Sequence, residues 1–223
     1  MNRQIFDTDS DVVRRVVETA HWADMDDSER IRDIYYYVRD KIPFQFNKRE
    51  SLRASDVLEM KSGSILGKSV LFKTLLEASD ILSRFRAVLV GKQMFAGLPR
   101  SFRFNTLPEK MISCWIEVFS DGKWLVLDGM AYDKAYSEGL FRCAGNHSGE
   151  YVGFGAAVFS KDVLISPWNG KHRFFQRAAV KKDVGIVEDF DWFFNEYRKA
   201  IRSFSALTSG YTRKRMEEIR SIP

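Results

Sequence analysis

KSGSILGKSVLFKTLLEASDILSR, residues 61–84, joins a Gly/Ser turn to an apolar helix and then to a strand. Ser62, Gly63 and Ser64 make the turn. Val70, Leu71, Leu75 and Ala78 follow at helical spacing. Phe72 and Leu76 widen that stripe, which predicts a helix buried on most of its faces. The helix should end at Ser79-Asp80, and RFRAVLV should open a strand from Arg84. A helix N-terminus after a glycine turn offers unpaired N–H groups and a positive dipole end. That is where a thiolate is best stabilised.

A second patterned stretch lies downstream. Met111 to Phe119 alternates as a strand, Asp121-Gly122 is a two-residue hairpin signal, and Lys123 to Asp128 is the returning strand. The two stretches together resemble the transglutaminase-like superfamily, which has a papain-type fold. On the first, Gly63, Lys68-Ser69, the Leu75-Leu76 pair, Ile81 and Arg84 follow that family's Gly-x-Cys-x-x-Lys-Ala/Ser helix and the segment after it. On the second, Trp115, Glu117, Val118, Gly122, Trp124 and Asp128 follow its hairpin. The helix at residues 28–41, with Ile31, Ile34, Tyr35 and Val38 on one face, also looks similar to one that precedes the family core.

The resemblance implies an α+β fold, a buried helix packed on an antiparallel sheet with extra helices at both ends. It places the family's catalytic cysteine on Ile65, its histidine on Ser113 and its aspartate on Asp128. Only the acid is kept. In such a triad the histidine takes the thiol proton and the aspartate orients the imidazole. Loss of one reacting group costs on the order of a millionfold. Thiol-based transamidation or proteolysis is therefore excluded at Ile65.

The surviving polar residues each carry two readings. Asp128 and Ser113 are either hydrogen-bonded structure or an acid–base pair with a shifted carboxyl. Ser64 precedes the nucleophile position and should point elsewhere, although it belongs to the candidate pocket with Trp115, Tyr132 and His172. Cys114 is next to the histidine position but should face the other side of its strand. Gly63-x-x-x-Gly67-Lys68-Ser69 imitates a phosphate loop, yet it is one residue short and no strand precedes it.

Composition bounds the rest. The chain has 223 residues, 45% hydrophobic and 14% aromatic, with 18 Phe and a net charge of +5. This suits a globular chain read as a single domain, 1–223, with its core at about 28–133 and a C-terminal elaboration at 134–223. The charge is spread along the chain, and no nucleic-acid module is visible. Two cysteines, Cys114 and Cys143, make no disulfide framework. With no apolar leader or span, the expectation is a cytoplasmic protein without membrane contact. His21, His147 and His172 are far apart, so no metal site is expected, and no cofactor is implied.

Residues 9–23 are expected to be a helix, with His21 near its end as a dipole partner. Ser55–Leu58 should be a capped turn. Residues 91–110 are expected to form a long surface loop near the site. Irregular chain should follow Asp128, with His147 solvated on a polar loop and Ser166–His172 a turn. Residues 189–206 should be one aromatic helix, either core or a homodimer surface, followed by a charged helix at 211–221.

Two functions compete at this level. One is a pseudoenzyme that binds a small molecule, peptide or protein in the old cleft. The other is a repurposed cyclase, lyase or isomerase acting without a thiol on a small or carrier-bound substrate, of the kind found in natural-product biosynthesis.

Overall fold

The computed structural model describes residues 5–46, 53–145 and 149–223. His147 lies outside the described residues. Helix α1 (Asp11–Thr19) starts on Ser10, whose side chain accepts from the Val13 amide. It stops short of residue 23: His21 is exposed with a positive φ of 54° and caps a 3-10 turn at Trp22–Asp24. Helix α2 (Asp27–Lys41) buries Ile31, Ile34, Tyr35 and Val38, the face read from the sequence. Helix α3 (Ala54–Met60) replaces the expected short turn and buries Val57 and Leu58.

Helix α4 (Ile65–Glu77) is buried from Ile65 through Leu76, including Lys68. Ser64 caps it by accepting from the Gly67 amide at 3.2 Å. Lys68 explains how a cation fits in such a helix. Its Nζ donates to the carbonyl of Arg39 at 3.1 Å and to that of Ile42. These are orphan acceptors at the C-terminal end of α2. Gly63 is the residue that lets the lysine pass, because a Cβ there would lie 2.7 Å from Lys68 Cγ. Burial pulls the Lys68 ammonium down to about 7, with Asp133 and Asp40 opposing that shift.

Strands β1 (Ser83–Gly91), β2 (Lys110–Ser120) and β3 (Lys123–Leu127) form an antiparallel sheet, completed by β6 (Val180–Ile186) in the order β3-β2-β1-β6. Asp121 and Gly122 both have positive φ, 50° and 75°, as a two-residue hairpin turn requires. Arg84 and Glu117 are cross-strand partners, and Glu117 accepts from both Arg84 (2.6 Å) and Arg86 (2.5 Å). These two motif residues are therefore tied into the sheet.

The region 91–110 is not a surface loop. It contains a 3-10 turn at Lys92–Phe95 and helix α5 (Ser101–Asn105), and it buries Met94, Phe95, Leu98 and Leu107. Its apolar residues are too numerous to leave in water. Regular structure also continues past Asp128, as α6 (Lys134–Cys143), the hairpin β4 (Tyr151–Gly153) and β5 (Ala156–Val158), α7 (Asp162–Ile165) and β6. The short strands and glycine-rich joints of this part carry little periodicity. The aromatic segment is broken into α8 (Phe190–Glu196), α9 (Arg198–Ser203) and a 3-10 turn at Phe204–Leu207. Phe190 and Phe193 pack on Phe85 of β1, so those two rings belong to the core. Helix α10 (Gly210–Arg220) closes the chain, and Arg220 binds both Asp133 (2.7 Å) and the Phe44 carbonyl (2.6 Å).

Titration of Lys68 gives a measurable consequence. The folded chain holds it below the value of a free lysine, so the folded state binds fewer protons than the unfolded one above about pH 7. Its contribution to stability should therefore rise from about pH 7 towards the free-lysine value of about 10.4. In thermal melts, the stability difference between the native chain and Lys68→Met should grow over that window. A constant difference would contradict the buried, capping role.

Candidate functional site

The N-terminus of α4 and strand β2 bring Ile65 and Ser113 onto one cavity. Its lining is Phe46, Ser64, Ile65, Leu66, Ile112, Ser113 and Phe204, and the space left is ≈ 10 Å³. That is about the room needed by one water molecule. Trp115, Tyr132 and His172 lie elsewhere. Trp115 packs edge-on to Phe174, with its ring N–H buried and unpartnered in the described residues. Tyr132 stacks on Phe175 and donates to the Gly155 carbonyl. His172 sits at the edge of β3, where Nδ1 accepts from the Val126 amide at 3.0 Å.

Asp128 follows β3 directly and is 1% exposed. Its Oδ2 accepts from the amides of Phe175 (2.7 Å) and Gln176 (2.9 Å). Its Oδ1 accepts from Gln176 Nε2 at 2.9 Å, and the Gly129 amide adds a further bond. Gly129 permits this close approach. Its φ is +99°, and a Cβ there would stand 2.5 Å from the Phe175 ring. Burial pushes the Asp128 carboxyl up to about 6, while the Gln176 side chain and the surrounding amides pull it back.

Gln176, which is fully buried, completes the set. Its Oε1 accepts from Ser113 Oγ, while its Nε2 donates to Asp128 and to the Cys114 carbonyl at 3.1 Å. One primary amide therefore spans from Ser113 to Asp128. Among the described residues, Ser113 and Asp128 are joined through it. Gln176, Phe46 and Phe204 are site residues that the sequence does not mark as such. A polar residue inside the aromatic run Arg173-Phe174-Phe175-Gln176 is the one signal that could have marked Gln176. Nothing in Phe46 or Phe204 separates them from the other 16 phenylalanines.

Residues 14–129 match the family model described as the transglutaminase-like superfamily. The chain belongs to the transglutaminase-like superfamily. The match spans α2, α4 and the β1–β3 sheet, and it ends one residue beyond Asp128. A solved structure described as a candidate cysteine protease from Cytophaga hutchinsonii aligns with a TM-score of 0.41 and 11% identity. The alignment covers 55% of this chain and 38% of that one. No curated protein matches the chain. In this family member, the described residues contain no group of His, Cys, Asp and Glu that could hold a metal ion. Cys114 and Cys143 are not disulfide-bonded.

The Gln176 bridge has a stability consequence. Gln176→Leu would leave Asp128 without a side-chain donor and Ser113 without its acceptor. The expected loss is about 1–3 kcal/mol in urea denaturation. The Asp128 carboxyl should also titrate above its present value of about 6 by carbon NMR. Because the folded carboxyl lies above its unfolded value, its contribution is full below about pH 3.9 and declines as pH rises through about 6. The variant should carry that decline to higher pH. An unchanged melting point and titration would refute the bridge.

Proposed function

We propose that this chain is a non-catalytic member of its superfamily, a pseudoenzyme that uses the former cleft for binding. The observation that carries this reading is the Gln176 amide between Ser113 and Asp128. A neutral primary amide neither accepts nor gives a proton at working pH, so it cannot act as the imidazole does. Ile65 offers no nucleophile in the position matched to the thiol. The cavity at Ile65 has ≈ 10 Å³ free, so any bound molecule must first displace a side chain.

The alternative is thiol-independent acid–base chemistry, and one feature favours it. A carboxyl held up to about 6 is suited to proton transfer near neutrality. Against it, both Asp128 oxygens are engaged by N–H donors and the group is 1% exposed. A reducing compartment such as the cytoplasm fits two cysteines that form no disulfide, and no helix of the described residues is long and apolar enough to cross a membrane. We read residues 1–223 as one unit, since Arg220 joins the last helix to Phe44 and Asp133.

The test is an activity assay with a glutamine-donor peptide, an amine acceptor and a general protease substrate. The native chain should give no turnover above buffer. Ile65→Cys with Ser113→His should remain inactive, because Gln176 still occupies the space between the introduced histidine and Asp128. Turnover by the native chain on any substrate, abolished in a folded Asp128→Asn variant, would overturn the reading in favour of the repurposed enzyme.

A further inference from the structure

A second cavity, with ≈ 400 Å³ of free space, lies between helix α10 and the residue that precedes α5. Its lining is Arg100, Gly210, Tyr211, Lys214, Arg215 and Glu218, and none of these lines the cavity at Ile65. Small-molecule sites occupy about 300–1,000 Å³. Tyr211, Lys214, Arg215 and Glu218 recur at i, i+3, i+4 and i+7, so they share one face of α10. The buried residues of that helix, Thr212, Met216 and Ile219, lie on another. Gly139 of α6 lets α10 pack close, since a Cβ there would overlap the Ile219 carbonyl. Arg220 ties the end of the helix to Asp133. The cavity therefore has a firmly seated wall, as a binding site needs.

Charge decides what this cavity can hold. Three of its lining residues are cations and one is a carboxylate, an excess of two positive charges. Glu218 is engaged by Arg215 at 2.9 Å. Among the described residues, neither Arg100 nor Lys214 forms an ion pair with a carboxylate. Arg100 is held instead by an aromatic face, its guanidinium carbon 5.0 Å from the centre of the Tyr211 ring. Arg215 stands 5.4 Å from the Phe154 ring in the same manner. A ring orients a guanidinium without neutralising it. The Thr212 amide is already taken by Ser209 Oγ at 3.2 Å, so side chains carry the charge of the site.

We infer that this cavity binds a soluble phosphomonoester, with Arg100 and Lys214 as its principal contacts. A phosphomonoester carries about −1.5 to −2 charges at pH 7 and three acceptor oxygens on one centre. That charge matches the excess in the cavity, whereas a monocarboxylate brings half of it. Arginine suits such a group through its forked donors, and lysine through its compact charge. No aliphatic side chain of more than one carbon lines the cavity apart from the stems of its charged residues, so nothing there would enter a lipid layer. The site is separate from the former cleft, and its occupancy does not depend on the non-catalytic reading.

The experiment is an amide NMR titration of the full chain with ribose 5-phosphate, beside ribose as the uncharged partner. Ribose 5-phosphate should give saturable shifts at Gly210, Tyr211 and Lys214, and ribose should give none. Arg100 and Lys214 are both exposed, so Arg100→Glu and Lys214→Glu should keep the native melting point. Each should weaken binding by at least about tenfold. Lys182→Glu makes the same charge change at an exposed position on β6 and should leave the affinity as it is. Vesicles containing phosphatidic acid present the same group on a lipid and should not bind. An equal response to ribose, equal weakening by Lys182→Glu, tighter binding of succinate, or binding of the vesicles without a response to ribose 5-phosphate would overturn the inference.

Discussion

A buried carboxylate must be given donors, and the distal half of this chain is arranged around that requirement. Asp128 is shielded from water at the end of β3, where an unpaired charge would cost several kcal/mol. The segment Arg173–Gln176 supplies three of its N–H groups. The same segment pairs with β3 through Arg173 N to Val126 O (2.9 Å) and Asp128 N to Arg173 O (3.0 Å). The edge of β3 is thereby covered, and the chain is aimed back towards β6. Gly129 and the Phe175 ring fix how closely the two segments approach.

Satisfying Asp128 in this way also ties up the neighbouring Ser113. The side chain that reaches the acid is an amide, and its oxygen takes up the Ser113 hydroxyl. Ser113, Gln176 and Asp128 are thereby joined in one run of hydrogen bonds. On the other side of the cavity, Ile65 presents hydrocarbon, and the Phe46, Phe95 and Phe204 rings pack together. The wall of that cavity is apolar at Phe46, Ile65, Leu66, Ile112 and Phe204.

The first half of the fold was legible because its physical signals are local. The Gly63 turn, the apolar run of α4 and the Asp121-Gly122 hairpin each announce their structure within a few residues. Ile65 and Ser113 were singled out through the family resemblance, and the two residues line one cavity. Lys68 was placed on the helix, but its partners at the end of α2 are 26 and 29 positions away and leave no local trace. Gln176 was invisible for the same reason, since it meets Ser113 and Asp128 across 63 and 48 positions. The expected loop at 91–110 failed because Pro, Gly and Arg masked a set of buried residues, among them Phe95, which packs on the distant Phe46 and Phe204. The aromatic segment 189–206 was read as continuous because periodicity cannot show where a helix turns a corner.

The most direct test of the central claim is the hydrogen exchange of the Gln176 side-chain amide, followed by nitrogen-edited NMR at neutral pH. A buried amide held by Asp128 and the Cys114 carbonyl should give two resolved, slowly exchanging proton signals that persist far longer than those of an exposed glutamine. Rapid exchange, or averaging of the two protons, would mean that Gln176 does not hold the space between Ser113 and Asp128, and the account of a silenced site would fall with it.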